Sequence, residues 1–101
     1  MGLVMGVQDM IQEATERVRQ MEQRFDMLQN VMNTNPDALL GDVSIREMLE
    51  SLIEYYENGQ WLRDYELDET GLLPQDLKRG VLAQDAVYDF LERIKNFTTN
   101  Q

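Results

Sequence analysis

The residue types with the most chemical potential crowd into one short run, Trp61 to Glu69 (WLRDYELDE). Asp64, Glu66, Asp68 and Glu69 supply four carboxylates, and Trp61 and Tyr65 supply two rings with polar tips. Tyr55 and Tyr56 precede the run, and Lys78 and Arg79 follow it. Paired carboxylates can act as general acid and base. Grouped carboxylates can also hold a hard divalent cation. The spacing from Asp64 to Gly71 resembles the start of a calcium loop but fails at its fixed positions. Such a loop needs Gly sixth and Glu twelfth, and Glu69 and Gln75 stand there.

No nucleophile sits beside a base in this run. The chain contains neither His nor Cys, which removes imidazole chemistry, thiol chemistry, disulfides and the usual zinc ligands. The sequence thus assigns no catalytic, cofactor-binding or metal-binding residue, and no cofactor is expected. Trp61, Leu62 and Tyr65, at i, i+1 and i+4, read as an inward face that closes a core. The acids read as a wet face over which Lys78 and Arg79 fold back; exposed pairs of that kind contribute ~0–1 kcal/mol each.

The elements that must position these residues follow from periodicity. The chain has 101 residues, the length of one domain with a small core. Its hydrophobic content of 43% is that of a folding sequence. From Val4 to Met32, apolar residues recur at alternating steps of three and four: Val4, Val7, Ile11, Ala14, Val18, Met21, Phe25, Leu28 and Met32. This heptad stripe predicts one long helix over about 4–33, ended by Asn35-Pro36. Ala38-Leu39-Leu40 then reads as an apolar plug in a turn. Ser44 and Glu47 have capping-box spacing, with Val43 and Met48 at the staple positions, and predict a second helix over about 45–58. Its buried face is expected at Ile45, Met48, Leu49, Leu52, Ile53 and Tyr56, with Glu47, Glu50, Glu54 and Glu57 opposite. Gly59 supplies the stop. A short helical segment is expected over about 60–69. Leu72, Leu73 and Leu77 then pack down around one turn at Pro74, and a last helix covers about 84–97.

The architecture expected is all-α: an antiparallel bundle of three main helices, the first long, with one extra short helical segment. A helix over 4–33 is about 45 Å long at ~1.5 Å per residue. The later helices are half that length. Either they stack along the stripe, or Val4, Val7 and Ile11 overhang and need another partner, or the N-terminus frays.

Acids outnumber bases 19 to 9, a formal net charge of −10. Nucleic acid and anionic membrane both require a basic footprint, so neither is expected as a partner. No apolar run approaches spanning length, and Leu3 to Val7 is too short for a signal segment. A cytoplasmic location is the expectation.

The stretch from Tyr55 onward resembles a small bacterial family known as domain of unknown function 4298. The residues that carry the likeness are Tyr55-Tyr56, Gly59, Trp61, Asp64-Tyr65-Glu66, Asp68-Glu69, Gly71, Leu73-Pro74, Asp76 to Leu82, Asp85 and Val87-Tyr88. The family's usual form has Ser at the position of Ala83, where it would cap the last helix; here Asp85 is left to take over. The resemblance implies no activity, ligand or partner. The functional expectation is a small, acidic, non-catalytic helical module that binds a protein. Its candidate surface is Tyr55, Tyr56, Trp61, Asp64, Tyr65, Glu66, Asp68, Glu69, Lys78 and Arg79. A homodimer through Val4, Val7 and Ile11 is part of that reading. The alternative is a small-ligand or divalent-cation binding domain using the cluster of Trp61, Asp64, Tyr65, Glu66, Asp68 and Glu69.

Overall fold

A computed structural model describes residues 6–99. Among the described residues the chain is all-α, with no strand. Helix α1 covers Val7–Thr34, α2 Ala38–Gly41, α3 Val43–Glu57, α4 Gln60–Glu69 and α5 Ala86–Thr99, with a 3-10 turn at Gly80–Leu82. Val4, the proposed first residue of the stripe, lies outside the described residues.

The long stripe of α1 is the wall on which everything else packs. Ala14, Val18, Met21, Phe25 and Leu28 are all buried, at the three- and four-residue steps that keep one helix face inward. A four-residue helix, α2, turns the chain at the end of α1, with Leu39 buried as its plug and Leu40 exposed. Helix α3 then runs back along α1. Its end at Tyr55 meets the level of Arg17 through a shared carboxylate, as set out below. Helix α5 closes the core with Val87, Phe90 and Ile94. The ring of Phe90 meets that of Phe25 edge-on, with centroids 5.4 Å apart, a geometry that matches the ring quadrupoles.

Helix α1 outruns this core. Its 28 residues span about 42 Å at ~1.5 Å each, and the molecule extends 55 × 27 × 20 Å. The first buried residues are Ala14 and Thr15. Val7 and Met10 are 62% and 45% exposed. Ile11 differs from the overhang expected of it: it is half-buried and packs against the core.

Several local expectations are corrected. Helix α3 starts at Val43, two residues early, and its cap is Asp42, whose carboxylate accepts from the Ile45 amide at 3.1 Å. Asp caps as well as Ser, and the earlier start adds the Arg46 N–H to Asp42 C=O bond at 2.9 Å. Val43 is accordingly exposed and staples nothing. On α3 the buried residues are Leu52 and Tyr55, while Tyr56 is half-buried. Leu62 and Leu72, both expected inward, are 50% and 48% exposed. At i+1 from Trp61, Leu62 is turned about 100° away from the inward stripe on a 3.6-residue helix. Asp85 stands just before α5, its carbonyl accepting from Asp89 N–H at 2.8 Å. Its φ of 71° is a left-handed conformation that Asp tolerates better than most residues.

The two capping candidates separate by mutation. Asp42→Ala is expected to cost about 1 kcal/mol, a fall in melting temperature of roughly 4–8 °C for a domain of this size. Ser44→Ala should leave the melt within the error of repeat scans. Equal losses from both would return the cap to Ser44.

Candidate functional site

The chemistry-bearing residues separate into an interior set and an exterior set. Gly59 decides this. Its φ of 88° lies where L side chains rarely go, and it lets α4 turn back directly after α3. Tyr55 and Asp64, nine residues apart, therefore face each other. The Tyr55 hydroxyl donates to Asp64 Oδ2 at 2.8 Å. Arg17 reaches the same carboxylate from α1, Nε donating to Oδ2 at 2.9 Å and Nη2 to Oδ1 at 2.6 Å. Asp64 and Tyr55 are each 1% exposed.

This is a two-pronged guanidinium–carboxylate pair completed by a phenol, and it ties three helices at one point. Each oxygen of the buried carboxylate is bonded. Among the described residues no buried side-chain polar atom lacks a partner. The hydrogen bond to Asp64 raises the Arg17 pKa against the opposing effect of burial. Burial, and then the Asp64 charge, push the Tyr55 phenol well above its ordinary 10.0. Tyr55 and Asp64 are thus withdrawn from the surface on which the sequence placed them.

A second clamp holds the irregular segment between α4 and α5. Arg79 donates to Asp68 and to the Pro74 carbonyl, and its Nε donates to the Leu77 carbonyl at 3.2 Å. Leu73 and Leu77 are its buried anchors. Val81 is gripped on both sides. Its N–H donates to Glu22 Oε1 at 2.7 Å, and its carbonyl accepts from the Trp61 indole at 2.8 Å. Gly80 makes room for this: a Cβ there would lie 3.1 Å from a Glu22 oxygen. Lys78 does not join the acids of α4. It borders a cavity of about 280 Å³ with Arg19, Glu22, Asp26 and Asp76.

The exterior set is smaller. Tyr56, Trp61 and Tyr65 form a half-buried ladder, with centroids 5.2 Å apart at both steps; Trp61 and Tyr65 stack at 18°. The Tyr65 phenol is pushed above its usual range chiefly by the neighbouring Glu69 carboxylate. Glu66 and Glu69 are exposed. Asp64 faces Arg17 and Asp68 faces Arg79, and no three carboxylates converge in a metal-holding group among the described residues. Sequence reasoning missed Arg17 and Glu22. Each is a charged residue next to an apolar stripe position, Val18 and Met21, and that adjacency was the available signal.

A family profile described as Domain of unknown function (DUF4298) matches residues 18–100. The chain belongs to the DUF4298 family. The match takes in α2, α3, α4, the clamped segment, α5 and most of α1. It begins one residue past Arg17, so the exposed start of α1 lies outside it. No curated protein and no solved structure matches the chain. No helix among the described residues is long and apolar enough to cross a membrane.

The buried triad should behave as one unit. Asp64→Leu alone leaves Arg17 without its counter-charge and is expected to cost about 3–5 kcal/mol. Adding Arg17→Met and Tyr55→Phe should recover much of that loss, measured by urea unfolding. Strictly additive losses would show three independent contacts instead.

The triad also sets an alkaline limit. The folded Tyr55 pKa is raised above the unfolded 10.0, so the folded state holds its proton where the unfolded chain releases it. That stability is complete below pH 10.0 and is lost as pH rises through the interval above it. Tyr55→Phe should flatten the fall of stability above that pH, and an unchanged slope would contradict the assignment.

Proposed function

We propose that this DUF4298 protein is a small, non-catalytic interaction module that pairs with a second copy of itself through the start of α1. The observation that carries the reading is the exposure of Val7 and Met10 on two helical turns that extend past the core. Beside them lies a groove of about 480 Å³ between α1 and α4, with Met10, Ala14 and Leu67 as its apolar part.

Knob and groove sit at the same end of the same molecule. A two-fold pairing can therefore place each knob in the other groove, using one patch twice. Charge supports this arrangement over a mismatched one. Asp9 and Glu13 lie on the projecting turns, and Arg63 borders the groove as a cation with no ion pair of its own among the described residues, beside Glu66 and the Arg17–Asp64 pair. Antiparallel α1 helices would bring acids of one copy toward Arg63 of the other. The repulsion between two chains of −10 each acts over longer distances and is screened beyond about 8 Å at physiological salt. The non-catalytic part of the reading is supported by the internal use of Tyr55, Asp64, Asp68 and Arg79 as fold clamps.

Light scattering on the intact chain tests the pairing. Wild type is expected at twice the 11.8 kDa chain mass. Val7→Asp with Met10→Asp should give the chain mass with helicity unchanged, and a melting temperature that no longer rises with protein concentration as that of wild type should. A wild-type monomer at near-millimolar concentration ends the proposal.

A further inference from the structure

The face opposite in character to that apolar end is the ring ladder of α3 and α4, and it takes a different ligand. We infer that Tyr56, Trp61 and Tyr65, bordered by Glu69 and Asp85, form a docking surface for a basic segment of a partner protein, an arginine side chain laid on the rings with its charge toward the two carboxylates.

Rigidity comes first. The indole of Trp61 is held by its bond to the Val81 carbonyl at 2.8 Å, and the segment carrying Val81 is fixed in turn by Glu22. Tyr65 is stacked on that indole at 18° and 5.2 Å, and Tyr56 meets the same indole edge-on, also at 5.2 Å. Three rings so fixed present contact area with little rotamer entropy left to lose on binding.

Charge then selects the ligand. Glu69 stands one helical turn past Tyr65 on α4, and Glu69 and Asp85 are both exposed; both oppose ionisation of the Tyr65 phenol. Neither has an ion-pair partner among the described residues. Glu57, at the end of α3, is exposed and adds to the same sign. Ring faces are the negative side of the aromatic quadrupole and attract cations, guanidinium above all. An anionic or neutral peptide would gain the stacking and meet repulsion or indifference from the carboxylates. A guanidinium gains from both, and its planar fork matches a carboxylate. The chain as a whole, at −10, draws a basic partner toward any face. The ladder supplies what the general charge lacks, a fixed place for the cation.

Trp61 is the chain's sole tryptophan, so its fluorescence reports on the ladder without added label. The probe is an end-blocked peptide of alternating Arg and Gly, with the same peptide carrying citrulline for Arg as the neutral isostere. The Arg peptide should change Trp61 emission saturably, and the citrulline peptide should not. Tyr65→Leu, and separately Glu69→Gln with Asp85→Asn, should each weaken binding about fivefold or more. The control is Glu47→Gln with Glu50→Gln, which removes the same charge from the far face of α3; it should change affinity less than about twofold. Circular dichroism checks that each variant keeps wild-type helicity. Should the control weaken binding as much as the ladder variants, or the citrulline peptide bind as well as the Arg peptide, the ladder is not a cation site. The test does not depend on the oligomeric state, since the monomeric Val7→Asp, Met10→Asp variant retains the ladder and should bind equally.

Discussion

The constraint on which the rest depends is the burial of a single carboxylate, Asp64. At 1% exposure it has lost its water, and a bare carboxylate in that position would cost several kcal/mol. Arg17 and Tyr55 replace the water with three hydrogen bonds. Those bonds can form together only if α1, α3 and α4 stand at one mutual position. Apolar burial is non-directional and does not by itself single out one orientation. A forked guanidinium on a carboxylate does. The triad therefore fixes the register of α3 on α1 and the angle at which α4 turns away. Burying an ion pair contributes less to net stability than to the penalty for every alternative arrangement.

From that fixed point the irregular part of the chain can be understood. Once α4 is set, Trp61 is set, and its indole reaches the Val81 carbonyl. Glu22, one turn and a half along α1 from Arg17, accepts from the N–H of the same residue. Arg79 then ties the preceding loop to the end of α4. Leu73, Leu77, Val81 and Leu82 are thereby carried into the core without a regular helix to hold them. Polar side chains do here what backbone ladders do elsewhere.

This division explains what the sequence alone made legible. The helices of α1, α3 and α5 are written in periodic apolar spacing, and Val18, Leu28, Leu52 and Phe90 lie inside as that spacing implies. The DUF4298 likeness was legible too, because its residues are numerous and clustered. Roles within the acidic run were not. Asp64, Glu66, Asp68 and Glu69 look alike in sequence, and only the helix phase separates them. Asp64 falls three residues after Trp61, on the inward stripe, where a carboxylate must find a cation; the cation was 47 residues away in the chain. The cap of α3 was misread for a related reason: Ser44 has capping-box spacing, but Asp42, two residues earlier, takes the role, with its side chain accepting from Ile45 N–H and its carbonyl from Arg46 N–H.

The same physics that hides Asp64 shapes what remains outside. A chain of net charge −10 must place its few cations with care. Arg17 and Arg79 are placed on acids inside the fold. Each such pairing withdraws one base together with one acid, so the exterior keeps the full net charge of −10, with Glu47, Glu50, Glu54 and Glu57 exposed along α3. Such a surface repels its own copies everywhere except where apolar residues project and charges of both signs mix, as they do at the start of α1. It attracts basic partners everywhere, yet holds them only where rigid rings meet unpaired carboxylates. The two contacts proposed for this protein thus share one background: ion pairs lock the helices without lowering the net charge, and a surface at −10 leaves only a few places for a partner to settle.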